Sequence, residues 1–253
     1  MSPLAVSLAV FVVILAGAWL GMHLHARLPD HHLTTEARDS IKLAMGLTAT
    51  MAALVLGLVT ASAKSAFDGE DAAIKHTAIK TLMLDRLLGE FGPDAQKIRD
   101  DLRQIVVVRL ATTWPEDHSG AVLEETPKTA KISAGIETRI RSLVPTTDAQ
   151  RDLKNRALQV TIDLTETRWT MFESLGDSIP VPFLIILVSW LTILFAGFGL
   201  LTRRNATVVA ALLLSAASVS SAIFLILEME QPFSGLIRVS AGPLRYALSH
   251  LGQ

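Results

Sequence analysis

The sequence predicts an all-α polytopic membrane protein with four transmembrane helices and a helical extramembrane bundle between the second and third spans. Three observations lead to this. Half of the 253 residues are hydrophobic and gather toward the two ends of the chain, while most of the charged 19% lies between them. Four apolar runs are each long enough, at roughly 20 helical residues, to cross a hydrocarbon core of about 30 Å. No segment alternates polar and apolar residues as a half-buried strand does. The predicted divisions are 1–64, the first transmembrane pair; 65–179, the extramembrane domain; 180–228, the second pair; and 229–253, a C-terminal tail.

The first span runs from about Leu4 to Met22. Ala16-Gly17-Ala18 resembles a signal cleavage site, but no basic residues precede the apolar run and the run is long, so it is expected to be a retained span. The second span starts near Leu43, and no strong helix breaker separates it from Lys75, so one helix is expected to extend well beyond the membrane. Within the central region, helical spacing of Ile74, Ala78, Leu82, Leu84, Leu87, Leu88 and Phe91 predicts a helix that Gly92-Pro93 ends. Further helices are expected from Pro93 to about Thr113, from Ala130 to Leu143 and from Asp148 to Leu175, with a polar loop from Trp114 through Thr126. The third span covers roughly Val181 to Leu201 and the fourth about Ala206 to Leu227. Basic residues near the span ends are almost evenly shared between the two sides, so the positive-inside rule gives no orientation.

Composition excludes several functions. A net charge of −1 with no basic run gives no footprint for nucleic acid. The absence of cysteine removes disulfides, thiolate catalysis and zinc sites built on sulfur. No phosphate-cradling glycine loop, nucleophile elbow or zinc-protease motif is present, and no enzyme activity or cofactor is expected.

The second span carries the most specific pattern. Gly46, Thr50, Ala53, Gly57, Thr60 and Lys64 recur at alternating steps of four and three, beside a bulky stripe of Leu47, Met51, Leu54 and Leu58. A 3.5-residue period keeps one helix face toward neighbouring helices over many turns. Two readings follow. The small face packs tightly inside one subunit, as small-residue faces often do in membranes. Alternatively, copies of the helix surround an axis and line an ion path, with Lys64 at a mouth. Glu228 and Glu230 close the fourth span; they are expected either in water at the headgroup level or as a ring of carboxylates near a cavity mouth. Ala211, Ser215, Ser218 and Ala222 form a second small stripe, read as a packing seam, whereas Gly17 and Gly21 form a GxxxG of a kind frequent by chance. The loop 23–36 holds His23, His25, His31 and His32 with Asp30 and Glu36, but its spacing matches no ligand motif and no metal site is assigned.

Three stretches carry a family resemblance: LGLVTASAKSAFD at the exit of the second span, MLDRLLGEFGPDAQKIRDDLR in the central region, and EMEQPFSGLIRVSAGPLRYAL near the end. With the layout of spans, these resemble the bestrophin-like membrane proteins of bacteria. The resemblance implies a pentameric channel whose second span lines a narrow neck, and it places the termini and central domain in the cytoplasm. Pro232 and Phe233 match the Pro-Phe pair that follows the fourth span of bestrophins, which implies a place at a pore mouth or gate with Glu228 and Glu230. Ser234 separates Phe233 from Gly235 and no acidic run follows, so calcium binding of the animal type is not implied. The second span contains no aromatic residue, so the aromatic neck has no counterpart.

The expected function is therefore a homo-oligomeric ion channel of the bacterial inner membrane, with inorganic ions and the lipid bilayer as partners. Two other classes remain open: a non-conducting membrane-anchored interaction or signalling protein, and a metal or proton transporter using the histidines of residues 23–36.

Overall fold

The computed structural model describes residues 2–29, 34–115, 127–174, 181–202 and 205–253, and these are helical with no strand. In chain order the helices are α1 (Pro3–Arg27), α2 (Thr35–Phe91), α3 (Gln96–Thr113), α4 (Pro127–Ser142), α5 (Asp148–Ser174), α6 (Val181–Leu201), α7 (Ala206–Met229) and α8 (Gly242–His250). Four of them, α1, α2, α6 and α7, are long and apolar enough to cross a membrane. The chain divides into two compact units: Met1–Ser65 with Ser178–Glu230, and Ala66–Asp177 with Gln231–Gln253. The absence of a breaker before Lys75 is realised as a single helix of 57 residues, α2, which contributes to both units.

In the first unit, local sequence sets the helix starts. Ser2 Oγ accepts from the Ala5 N–H at 3.3 Å and Pro3 follows at a position where its missing N–H costs nothing. Asn205 Oδ1 accepts from the Thr207 N–H at 3.2 Å and opens α7. The core joins Ile14 and Ala18 of α1, Ala52 of α2, Leu187 and Phe195 of α6, and Ala216 and Ile223 of α7.

The GxxxG of α1 is not a chance pattern. A Cβ placed on Gly21 would overlap the Ala196 carbonyl of α6, one on Gly17 would lie 2.8 Å from the Thr192 methyl, and one on Gly199 would overlap the Ala18 carbonyl. In lipid, where tails are as apolar as leucine, such close backbone approach supplies the dispersion contacts that hold helices together. The seam is closed near its end by a hydrogen bond of 2.7 Å between His25 Nδ1 and the Leu200 carbonyl. The fourth-span stripe lies mostly outside the packing of this chain. Ala211, Ser215 and Ser218 are exposed and Ala222 is half-buried, whereas α7 packs through Ala216, Ser220, Ile223 and Ile226.

The second unit is a helical bundle with a conventional aliphatic core: Leu84, Leu88 and Phe91 of α2, Ile98, Leu102 and Val106 of α3, Ile136 and Ile140 of α4, and Ala157 and Val160 of α5. Gly92, at φ 118°, makes the turn from α2, a conformation that side chains with a Cβ rarely adopt. Side chains from α5 cap two helix ends: Gln150 Nε2 donates to the Phe91 carbonyl at 2.9 Å, and Lys154 Nζ donates to the Leu143 carbonyl at 2.8 Å. An ion pair joins Asp101 to Arg139, and another joins Lys80 to Asp163 at 2.6 Å. The Lys80 hydrogen bond, followed by that from Gln159, holds the Asp163 carboxyl below its ordinary range.

The segment expected as a tail is part of this unit. Phe233, Val239, Leu244 and Ala247 are buried with Ile74, Ala78 and Met171, and Leu251 is buried in the main core. Its helix α8 is short, nine residues, and its apolar positions are too few to stand out in the sequence.

Replacing Gly21 by alanine is expected to lower the melting temperature in detergent, at a cost of about 1–3 kcal/mol for an overpacked contact. Gly69→Ala, at a helical position with nothing within 4 Å, is the control and should leave it unchanged or raise it.

Candidate functional site

The candidate site begins on the apolar part of α2. At about 100° per residue, its positions sort into three faces roughly 110–130° apart. Met45, Thr48, Ala52, Val55, Leu56 and Val59 form the face that is buried or half-buried in the chain. Gly46, Thr50, Ala53, Gly57, Thr60 and Lys64 form the second face, and all six are exposed. Leu47, Met51, Leu54 and Leu58 form the third, with Leu47, Leu54 and Leu58 exposed at 69%, 66% and 68%. A Cβ on Gly46 or Gly57 would meet nothing within 4 Å. The small face is therefore not used for packing inside this chain, which removes one of the two readings its period allows.

The threonines of this region satisfy themselves within the helix. Thr50 Oγ1 donates to the Gly46 carbonyl at 3.0 Å and Thr60 Oγ1 to the Leu56 carbonyl at 2.7 Å. A hydroxyl has one proton and two lone pairs, so each of these leaves lone pairs on the exposed face at little cost to the helix.

Where α7 ends, Glu228 is 5% exposed and Glu230 is half-buried. The expected solvated position thus does not describe Glu228. Glu230 borders a cavity of about 400 Å³ whose walls are otherwise apolar and include Val10, Val59, Leu187 and Ile223.

Pro232 and Phe233 are buried. The Phe233 ring meets Trp114 edge-on, with centroids 5.7 Å apart and planes at 81°. Trp114 Nε1 donates to the Val239 carbonyl at 2.8 Å, and the Val239 N–H donates to the Pro232 carbonyl at 2.7 Å. Phe233 is thus a packed anchor of the C-terminal segment within the second unit. Trp114 was legible only as the start of a loop; its role as the partner of this segment depends on a hydrogen bond across 125 residues.

The segment is fastened again at its end. Asp85 accepts from Arg99 Nε and Nη2 at 2.8 and 2.9 Å and from the Gly252 N–H at 3.0 Å. Arg103 Nη1 donates to the Leu251 carbonyl at 3.3 Å. Burial raises the Asp85 carboxyl, but the Arg99 hydrogen bonds, the Gly252 N–H and the Arg99 charge together outweigh it and hold the group below its ordinary range. The same partner raises Arg99.

The histidines do not converge among the described residues. His23 stacks on Trp19 with centroids 5.3 Å apart, whereas His25 is engaged at Leu200. Asp30, His31 and His32 lie outside the described residues. Among the described residues no group of three or more His, Asp or Glu side chains is placed to hold a metal.

The arrangement of four apolar helices, a helical second unit and a buried Pro-Phe segment agrees with a comparison against known families. The sequence matches the bestrophin-like domain over residues 9–244. The chain belongs to the bestrophin-like family. Its fold is shared with crystal structures of a bacterial bestrophin homologue from Klebsiella pneumoniae. One, carrying a tryptophan-to-alanine change, is 16% identical with a TM-score of 0.69, covering 100% of this chain and 99% of that one. Another, carrying an isoleucine-to-threonine change, is 16% identical with a TM-score of 0.64, covering 97% and 100%. A third, phased on zinc, is 14% identical with a TM-score of 0.65, covering 95% and 96%. No curated protein matches the chain. In this bestrophin-like chain the Pro-Phe pair is thus a structural fastening.

The Asp85 clasp has a defined pH signature. Because the folded carboxyl is held below its ordinary range, its contribution is fully present above the unfolded value of about 3.9 and is lost as pH falls through the lowered folded value. Asp85→Asn should destabilise the protein by about 3–5 kcal/mol near neutral pH, since it strands the Arg99 charge. Denaturation measured from pH 7 down to pH 2 should show the two proteins converging at the acid end.

Proposed function

We propose that this bestrophin-like protein is a subunit of a homo-oligomeric ion channel of the bacterial inner membrane, with the small face of α2 around the axis. The observation that carries the reading is the division of α2 into three faces, only one of which packs within the chain. An axis needs a face without bulk, and Gly46, Ala53 and Gly57 provide it. Thr50 and Thr60 line the path with hydroxyl oxygens, and Lys64 stands near one mouth, where its charge biases the local ion concentration. The leucine stripe beside them would bury itself against the adjacent subunit.

Glu228 and Glu230, closing α7, act near the other polar elements of the mouth. Pro232 and Phe233 act on the gate through the segment they anchor. Family membership supports a ring of subunits, five by resemblance, and a cytoplasmic location for the termini and central domain. Residues 1–64 and 180–228 then form the membrane part, 65–179 the cytoplasmic domain and 229–253 the segment docked on it.

Reconstitution in liposomes tests the proposal. Flux above that of empty vesicles is expected in at least one salt, with a ring of about four to six subunits in detergent. Gly57→Leu should reduce the flux by about tenfold or more by narrowing the path. A monomer or dimer without flux across several salts and pH values would indicate the interaction protein instead. Unchanged conductance in Gly57→Leu would remove α2 from the path.

A further inference from the structure

The first unit carries a groove of about 340 Å³ between α1, α2 and α6. Leu20 and Leu24 of α1, Ile41 and Met45 of α2, and Ile193 and Leu200 of α6 line it. Close contacts fix its walls. Gly21 meets the Ala196 carbonyl, His25 reaches the Leu200 carbonyl, and a Cβ on Gly197 would lie 2.6 Å from the Met45 sulfur. These pairs also set its level. The groove follows the last turns of α1 and α6 and the start of the apolar part of α2, so all three walls reach the same end of the spans. At 1.5 Å per residue, the stretch from Ile41 to Thr48 makes it about 10 Å long, less than half of a hydrocarbon core of about 30 Å.

The walls are apolar. The hydroxyl in the lining, on Thr48, donates to the Ala44 carbonyl at 3.0 Å and so spends its proton within α2. Apolar cavities do not hold ordered water, and what surrounds a spanning helix at this depth is acyl chain. The mouth has different chemistry. Arg27 follows Leu20 and Leu24 at steps of four and three, so it extends the α1 wall one turn beyond the groove. It is exposed, and its guanidinium has no ion pair or hydrogen bond among the described residues. Lys42 stands next to Ile41 at the same end, with its charge shared with Asp39 at 2.9 Å. Trp19, exposed and stacked on His23, marks the headgroup level, where tryptophan is enriched. The apolar cavity that Glu230 borders has no cation in its lining.

We infer that the groove binds an anionic phospholipid, one acyl chain lying along α1, α2 and α6 and the phosphate at Arg27. A guanidinium matches phosphate oxygens with paired charge-assisted hydrogen bonds. A zwitterionic lipid would fill the groove as well, but it brings a cation of its own to a mouth that already holds one. The groove lies on the packed face of α2, away from its small face, so the inference stands whether or not the small face lines an ion path.

The test is native mass spectrometry of the full chain in detergent, with dioleoyl phosphatidylglycerol and dioleoyl phosphatidylcholine added in equal amounts. Retention of one phosphatidylglycerol per chain is expected, in preference to phosphatidylcholine. Arg27→Gln should reduce that preference about fivefold, roughly what one basic residue contributes beside an anionic headgroup. Ala44→Phe, at an exposed lining position, should reduce retention of both lipids about tenfold by filling the groove. Arg86→Gln, an equal charge change at an exposed site in the second unit, should alter neither. Equal retention of the two lipids, or a preference unchanged in Arg27→Gln, would overturn the assignment. So would retention untouched by Ala44→Phe, which places the lipid on another surface, or displacement by soluble glycerol phosphate, which marks a free-phosphate site. A smaller assembly in Ala44→Phe, with no lipid retained by either protein, would assign the groove to a second copy of the chain.

Discussion

The structure depends on one helix having to serve several neighbours at once. α2 runs unbroken for 57 residues and supplies core residues to both compact units. Within its apolar part it has to present different chemistry in different directions, because a helix cannot hide a face by turning. The result is an aliphatic face for its own chain, a small face and a leucine face. Its polar continuation instead places Leu84, Leu88 and Phe91 in a bundle core and Asp85 in a buried ion pair.

The two units hold together by different physics. In the apolar unit, burying leucine against leucine gains little over burying it in lipid, so proximity decides, and glycine at Gly17, Gly21 and Gly199 allows it. In the second unit the aliphatic core provides the ordinary hydrophobic contribution, and ion pairs such as Lys80–Asp163 fix which helix faces which.

The C-terminal segment converts a family motif into a mechanical element. Phe233 against Trp114, Val239 bonded to both Trp114 and Pro232, and the Gly252 N–H on Asp85 fasten it along the second unit. Asp85 therefore satisfies a buried cation and a chain end with a single carboxylate. Any movement of this segment against the second unit would have to break charge-assisted bonds as well as an aromatic contact.

The sequence by itself determined the longer helices: spans follow from uninterrupted apolar length, the continuity of α2 from the lack of a breaker, its end from Gly92-Pro93, and its small and leucine faces from residue period. These are properties of neighbours along the chain. It did not determine which face meets what. The GxxxG of Gly17 and Gly21 and the stripe of Ala211, Ser215, Ser218 and Ala222 look alike as patterns. Yet the first is a close seam, while the second lies mostly outside the packing of the chain. The docking of the final segment was equally invisible. Only the tertiary structure decided them, because periodicity states that a helix has a face, whereas the partner of that face is chosen by residues a hundred or more positions away.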